Sequence, residues 1–333
     1  MIRPRRAVTL AMVLCAAGGA CRCSPKAEGR AHQPANDPTM NVATPMAPSS
    51  SSEPGTPADA GSGCPAALAG ARTGGLRPGS YVVPSDEERR AVRAAIAKLL
   101  RGETVTDAAT FGFEVVPLED WPDAVLLREL PDRRRGGGAY VVRKASSSSL
   151  VVQAPHTFYD EGTFPLACDL FQRAKARALF INTVHRYKSS PTGADGKHPS
   201  DVAHAASSMF QAATEGAVDA IPRTSVVQLH GFAERGVGGR AVVSTGEKRA
   251  GSPLVARSSR ALEAVVGPRI LRYPEDTNEL GATTNVQGAV VRRAAGGQFL
   301  HVEMEEGLRR DLLRDAALRG RALDAIGAAF SGP

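Results

Sequence analysis

The sequence predicts an α/β protein, a three-layer sandwich with a mostly parallel or mixed central sheet. Short apolar runs at Leu150–Ala154, Ala178–Ile181 and 225–229 have the length and composition of buried strands. Longer amphipathic segments separate them, and such alternation folds into right-handed parallel crossovers. Each run ends abruptly in polar residues, at His156, at His185-Arg186 and at His230, which is where ligand crevices of open α/β sheets lie.

Taken in order, residues 1–20 start with Arg3, Arg5 and Arg6, pass through an apolar stretch and end in Gly18-Gly19-Ala20 before Cys21. That is the layout of a signal peptide, with an apolar part too short to span a bilayer comfortably. The small residues before Cys21 resemble the lipobox of bacterial lipoproteins. The expectation is export to the cell envelope with a lipid anchor on Cys21, with periplasmic or free secretion as the alternative. Residues 21–63 are rich in Pro, Ser, Ala, Thr and Gly and read as a disordered tether, followed by one domain over 64–333. The net charge is +7, and the three leader arginines account for 3 of it, leaving +4. With five Tyr, one Trp and no basic aromatic stripe, nucleic acid is not an expected partner.

A helix over 85–100 is signalled by Ser85 as N-cap and by the acidic first turn Asp86, Glu87 and Glu88, with Val92, Ala95, Ile96 and Leu99 on one face. A strand at Ala139–Arg143 follows the basic turn at Arg133 to Gly138, which lacks the lysine and helix of a phosphate loop. Beyond the strand Leu150–Ala154, helices are expected over 165–177 and 201–219, the second capped by Ser200 or Asp201. The alternation continues with strand Ala241–Ser244, helix Pro253–Val266, a short strand over 269–273, a loop with Asn278, Asn285 and Gln287, a strand over 298–303 and a closing helix over 307–330.

Beyond the leader the cysteines are Cys21, Cys23, Cys64 and Cys168. Cys64 and Cys168 are able to pair in an oxidising compartment; a buried thiol at Cys168 is the alternative. No cysteine pair has zinc-site spacing, so a metal site here must be built from histidines and carboxylates. His156 with Glu161, and His230 further on, supply the two-histidine, one-carboxylate set that hydrolases use to hold Zn2+ beside a water. Gly231 after His230 leaves room for a substrate.

The segments PHTFYDEGT (155–163), INTVHRY (181–187), VVQLHGF (226–232) and FLHVEM (299–304) occur in an order that resembles the zinc-dependent amidohydrolases related to N-formylglutamate amidohydrolase and phage-type poly-gamma-glutamate hydrolase, of the zinc carboxypeptidase-like fold. The resemblance covers roughly residues 141–309. It implies Zn2+ on His156, Glu161 and His230, Arg186 as the anchor of a substrate carboxylate, and Glu303 as general base. Family spacing favours Glu161 over its neighbour Asp160 as the ligand; Glu305 and Glu306 compete with Glu303 but fit the first turn of the final helix. Asn285 and Gln287 are candidate pocket residues, Asn285 for substrate binding, and His204 is a candidate outer partner. Arg186 has the alternative of simply pairing with Asp201. The implied activity is hydrolysis of an amide bond beside a free carboxylate, in a peptide, a cell-wall fragment or an N-acyl amino acid. The alternative is an inactive envelope lipoprotein that binds such a molecule without turnover.

Overall fold

The computed structural model of the chain describes residues 63–73, 81–190, 196–233 and 237–330. The expected signal peptide, the tether and the Cys21 lipid anchor lie outside them. Among the described residues the elements run α1 (Ala66–Thr73), α2 (Asp86–Leu100), a 3-10 turn (Ala108–Phe111), β1 (Phe113–Pro117), β2 (Ala124–Glu129), β3 (Ala139–Arg143), β4 (Leu150–Ala154), α3 (Thr163–Arg173), β5 (Ala178–Ile181), α4 (Met209–Ala220), β6 (Ser225–Phe232), β7 (Ala241–Ser244), α5 (Pro253–Val266), β8 (Ile270–Arg272), α6 (Val286–Arg293), β9 (Gln298–Glu305), α7 (Glu306–Arg314) and α8 (Ala316–Ala328).

The strands form one nine-stranded mixed sheet in the order β1-β2-β3-β5-β4-β6-β9-β7-β8. Its centre, β5-β4-β6-β9, is parallel throughout, whereas β1, β2 and β3 form an antiparallel flank and β7 runs antiparallel to β9. Alternate side chains of the central strands feed two cores, as the period of a strand requires. Val152, Ala154, Val227 and Val302 pack with α1, α3, α5, α7 and α8 on one face. Val151, Phe180, Val226 and Phe299 pack with α2, α4 and α6 on the other. Helices on both faces of a mixed sheet make the expected three-layer sandwich.

Strand β4 is the pivot. The chain leaves it through α3 to β5 on one side and reaches β6 through α4 on the other, so the loops after β4 diverge to opposite faces and open a crevice. Because β4, β5, β6 and β9 are parallel, their carboxyl ends share one edge of the sheet. His156, Arg186, His230 and Glu303 all belong to that edge.

Several elements differ from the sequence expectation. Strands β1 and β2 are additional, and α6 replaces the expected loop around Asn285 and Gln287. Helix α4 starts at Met209 rather than near Asp201, with the Ser208 hydroxyl accepting from Gln211 N at 3.1 Å, because Asp201 is drawn into the site instead. The closing helix is two helices: Asp315 ends α7 and its carboxylate caps α8, accepting from Ala317 N and Leu318 N at 2.9 Å each. Ser85 caps α2 as expected, in a reciprocal box with Glu88. Cys64 and Cys168 are joined in a disulfide that ties the start of the folded region to α3.

Candidate metal centre

Past β4 the chain coils on itself. The His156 carbonyl accepts from Tyr159 N at 2.9 Å and Asp160 N at 2.8 Å, which brings Asp160 back beside His156. Thr157 Oγ1 donates to Asn182 O at 2.9 Å and Thr163 Oγ1 to Asp160 O at 2.7 Å, pinning the coil to the end of β5 and to α3. Gly162 closes it with a left-handed φ of 86° and lies against Leu313 of α7. Asp160 Oδ2 then sits 3.4 Å from His156 Nδ1 and 3.3 Å from His230 Nδ1, the latter reaching over from the end of β6. The two imidazole rings meet edge to face at 4.7 Å. All three side chains are buried.

The outer partners decide what these atoms can do. His156 Nε2 lies 2.8 Å from Asp201 Oδ1, and Arg186 donates to Asp201 Oδ2 at 2.5 Å. His230 Nε2 lies 2.8 Å from Gln228 Oε1. With an acceptor on each Nε2, each Nδ1 points its lone pair at the Asp160 oxygen, and that buried oxygen makes no hydrogen bond. Two imidazole nitrogens converging on an unpartnered carboxylate oxygen, with carboxylate and amide partners behind them, suit the donor set and the support that a metal ion needs. The ligand atoms of His156, Asp160 and His230 all lie within 4.8 Å of one another, so the residues fit a metal ion.

The electrostatics of the site agree. Burial pushes the Asp160 carboxyl up, but His156 and His230 outweigh it and hold Asp160 well below the usual carboxylate range. Burial also works against a charged His156, yet Asp160 and Asp201 raise its pKa, whereas burial takes His230 down to about 4.

Beside this cluster Glu303 lies near the carboxyl end of β9, directly across from His230 in the parallel register. Burial and the nearby Asp160 charge push its pKa up to about 8, and its Oε2 has no partner. Its carboxylate lines a cleft of about 440 Å³ together with Arg186, Arg309, Tyr159, Tyr187 and Glu161. Arg186 stands at 5.4 Å from the Tyr159 ring and 5.3 Å from the Tyr187 ring, and its Nε is unpartnered. Tyr159 and Tyr187 are half-exposed at the rim.

The structure thus brings together His156, His230, Arg186 and Glu303, and it corrects three expectations. The carboxylate between the histidines is Asp160, not Glu161: the turn at His156 returns the fourth residue onward, while Glu161 faces the cleft mouth and offers its main-chain oxygen to Arg309 Nε at 2.7 Å. Asn285 does not line the cleft; it is the N-cap of α6, accepting from Gly288 N at 2.8 Å and donating to Gln228 Oε1 at 2.6 Å. The space left by Gly231 is taken by the guanidinium of Arg309, which also donates to Phe232 O and Met304 O and straps the ends of β6 and β9 to the loop that carries His156 and Asp160. Arg186 does pair with Asp201 and still faces the cleft. His204 contacts Thr284 rather than a metal ligand. Sequence reasoning missed Gln228, behind His230, and His301, whose ring lies 4.5 Å from that of His230 and whose Nε2 is 3.6 Å from Glu303 Oε1. Both are polar residues inside apolar strands, and a buried polar group in a strand interior is itself the signal, because burial has to be matched by a partner.

No model of a known protein family matches the chain, and no curated protein does. Solved structures are similar to it. The bacteriophage poly-gamma-glutamate hydrolase shares 17% identity over 59% of this chain and 89% of its own, with a TM-score of 0.36. N-formylglutamate amidohydrolase from Ralstonia eutropha JMP134 shares 14% over 59% and 98%, with a TM-score of 0.39. N-acetylmuramoyl-L-alanine amidase from Clostridium difficile 630 shares 12% over 56% and 96%, with a TM-score of 0.32. Identity and TM-score are low in each, so what the site can do is carried by its own side chains.

Proposed function

We propose that the chain is an exported, zinc-dependent hydrolase that cleaves an amide bond beside a free carboxylate, with His156, Asp160 and His230 as the metal ligands. The observation that supports it most is the buried, unpartnered Asp160 oxygen between two Nδ1 atoms, with a second unpartnered carboxylate, Glu303, in the same cleft. Bound there, Zn2+ would polarise the scissile carbonyl and lower the pKa of a water toward about 7. A cation bound beside it would favour the ionised form of Glu303, which then takes a proton from the attacking water at Oε2 and returns it to the leaving nitrogen as the amide C–N bond breaks. Arg186, held by Asp201, lines the cleft and offers its guanidinium to the substrate carboxylate, in a hydrogen bond strengthened by charge. The substrate class is a small peptide, a wall fragment or an N-acyl amino acid. The leader before Cys21 and the Cys64–Cys168 disulfide support an oxidising, extracytoplasmic location with a lipid anchor.

Metal analysis of the purified protein tests the reading. About one equivalent of zinc is expected in the wild type and none in His230→Ala; equal metal in both would remove it. Glu303→Gln is expected to keep the metal and lose activity on N-acyl amino acids by at least about 100-fold. Metal without activity in the wild type would favour a binding protein.

A further inference from the structure

We infer that Gln228 is a positioning residue that holds the proton of His230 on Nε2, through a chain of buried amides whose directions are set by backbone groups at its ends. The inference rests on the reading of His230 as a metal ligand. The side chains of Gln153, Gln228, Gln287 and Thr214 are wholly buried, so no water is at hand to replace a lost partner.

The directions follow one from another. Thr214 Oγ1 spends its hydrogen on Phe210 O at 2.9 Å and is left only as an acceptor for Gln153 Nε2, also at 2.9 Å. Gln153 therefore turns its Oε1 to Gln228. Gln287 spends its Nε2 hydrogens on Val202 O at 2.9 Å and Gln211 Oε1 at 3.1 Å, so its Oε1 also faces Gln228. Gln228 meets these two oxygens at 2.9 and 3.4 Å and has to present Nε2 to them, which leaves Oε1 for the opposite side. There Asn285, whose Oδ1 is engaged by Gly288 N, donates through Nδ2 at 2.6 Å. The remaining neighbour of Gln228 Oε1 is His230 Nε2 at 2.8 Å. A carbonyl oxygen has no hydrogen to give, so the hydrogen of this contact belongs to the imidazole.

The constraint matters because a rival acceptor exists. Asp160 Oδ2 lies 3.3 Å from His230 Nδ1, and a carboxylate is a stronger acceptor than an amide. Left to itself the neutral ring would turn its hydrogen toward Asp160 and block the ligand atom. Reversing Gln228 to allow this would set its oxygen against those of Gln153 and Gln287, leaving buried polar groups unpaired. The amide chain therefore keeps the ligand atom ready before any metal arrives, and it gives Asn285 a role at the back of the site instead of in the cleft.

The test is made on metal-free, 15N-labelled protein at neutral pH, where two-bond correlations of the His230 ring report which nitrogen carries hydrogen. The wild type is expected to show the Nε2–H form alone. In Gln228→Met, which keeps the volume and removes the amide oxygen, the hydrogen is expected on Nδ1 and zinc affinity to fall about 10- to 100-fold. Hydrogen on Nδ1 in the wild type, or an unchanged ring in a folded Gln228→Met, would overturn the inference. The wild-type spectrum decides even if that variant does not fold. Failure of the wild type to bind zinc would instead strike the metal reading, and the ring measurement, made without metal, is independent of it.

Discussion

Asp160 and Glu161 are neighbours of like charge, and the turn after β4 separates their fates. Asp160 comes back beneath His156, whereas Glu161 continues to the cleft mouth. Asp160→Asn is accordingly expected to weaken zinc binding by at least about 100-fold in calorimetric titration, with Glu161→Gln within a few-fold of wild type; the reverse order would return the ligand role to Glu161. Glu303 gives a pH signature. Its pKa in the metal-free fold is about 8 against an ordinary 4.5, so the folded chain holds a proton that the unfolded chain has already lost. The contribution to stability is present below about pH 4.5 and lost as pH rises to about 8. In urea melts with a chelator, the wild type should lose stability relative to Glu303→Gln across that window, by a few kcal/mol on the order of the linked pKa shift. A difference that does not change with pH would show that Glu303 is not held protonated.

Elements were legible where a single local rule governed them. The Ser85 cap and acidic first turn of α2, the buried runs of β4 and β5 and the Pro-initiated α5 follow from spacing and composition alone. The elements missed depend on distant partners. Strands β1 and β2 carry Glu114, Arg128 and Pro117 among their apolar residues and exist by pairing with each other and with β3. Helix α6 is short, and its cap Asn285 reads equally well as a loop residue. The break at Asp315 has no glycine or proline to announce it. The site shows the same division: the histidines and Glu303 stand at strand ends that sequence can locate, while the choice of Asp160 over Glu161 depended on how the loop coils. That coil needs Gly162, whose φ of 86° costs a side chain about 1 kcal/mol or more. Gly162→Ala should lower stability by at least that amount in a denaturant melt and weaken metal binding; an unchanged melt would mean that the loop closes without it.

At the scale of the whole molecule, the disulfide joins positions 104 residues apart and fastens α1 to the body. From α1, Arg72 donates to Thr157 O at 2.9 Å and stacks on Phe158 and Phe164, so the start of the folded region braces the loop that carries His156 and Asp160. Cross-linking across a loop of that length contributes roughly 2–5 kcal/mol. Cys168→Ser should lower the melting temperature correspondingly and release zinc faster to a chelator; a lower melting temperature with unchanged release would separate the brace from the site. The margins of the sheet have a different consequence. At one, β1 is five residues long and ends in Pro117, which has no N–H to offer a further strand; at the other, β8 has three residues. A sheet whose outermost ladders are this short gives another copy little template to extend, so the crevice can open at its centre without the rim becoming a site of aggregation.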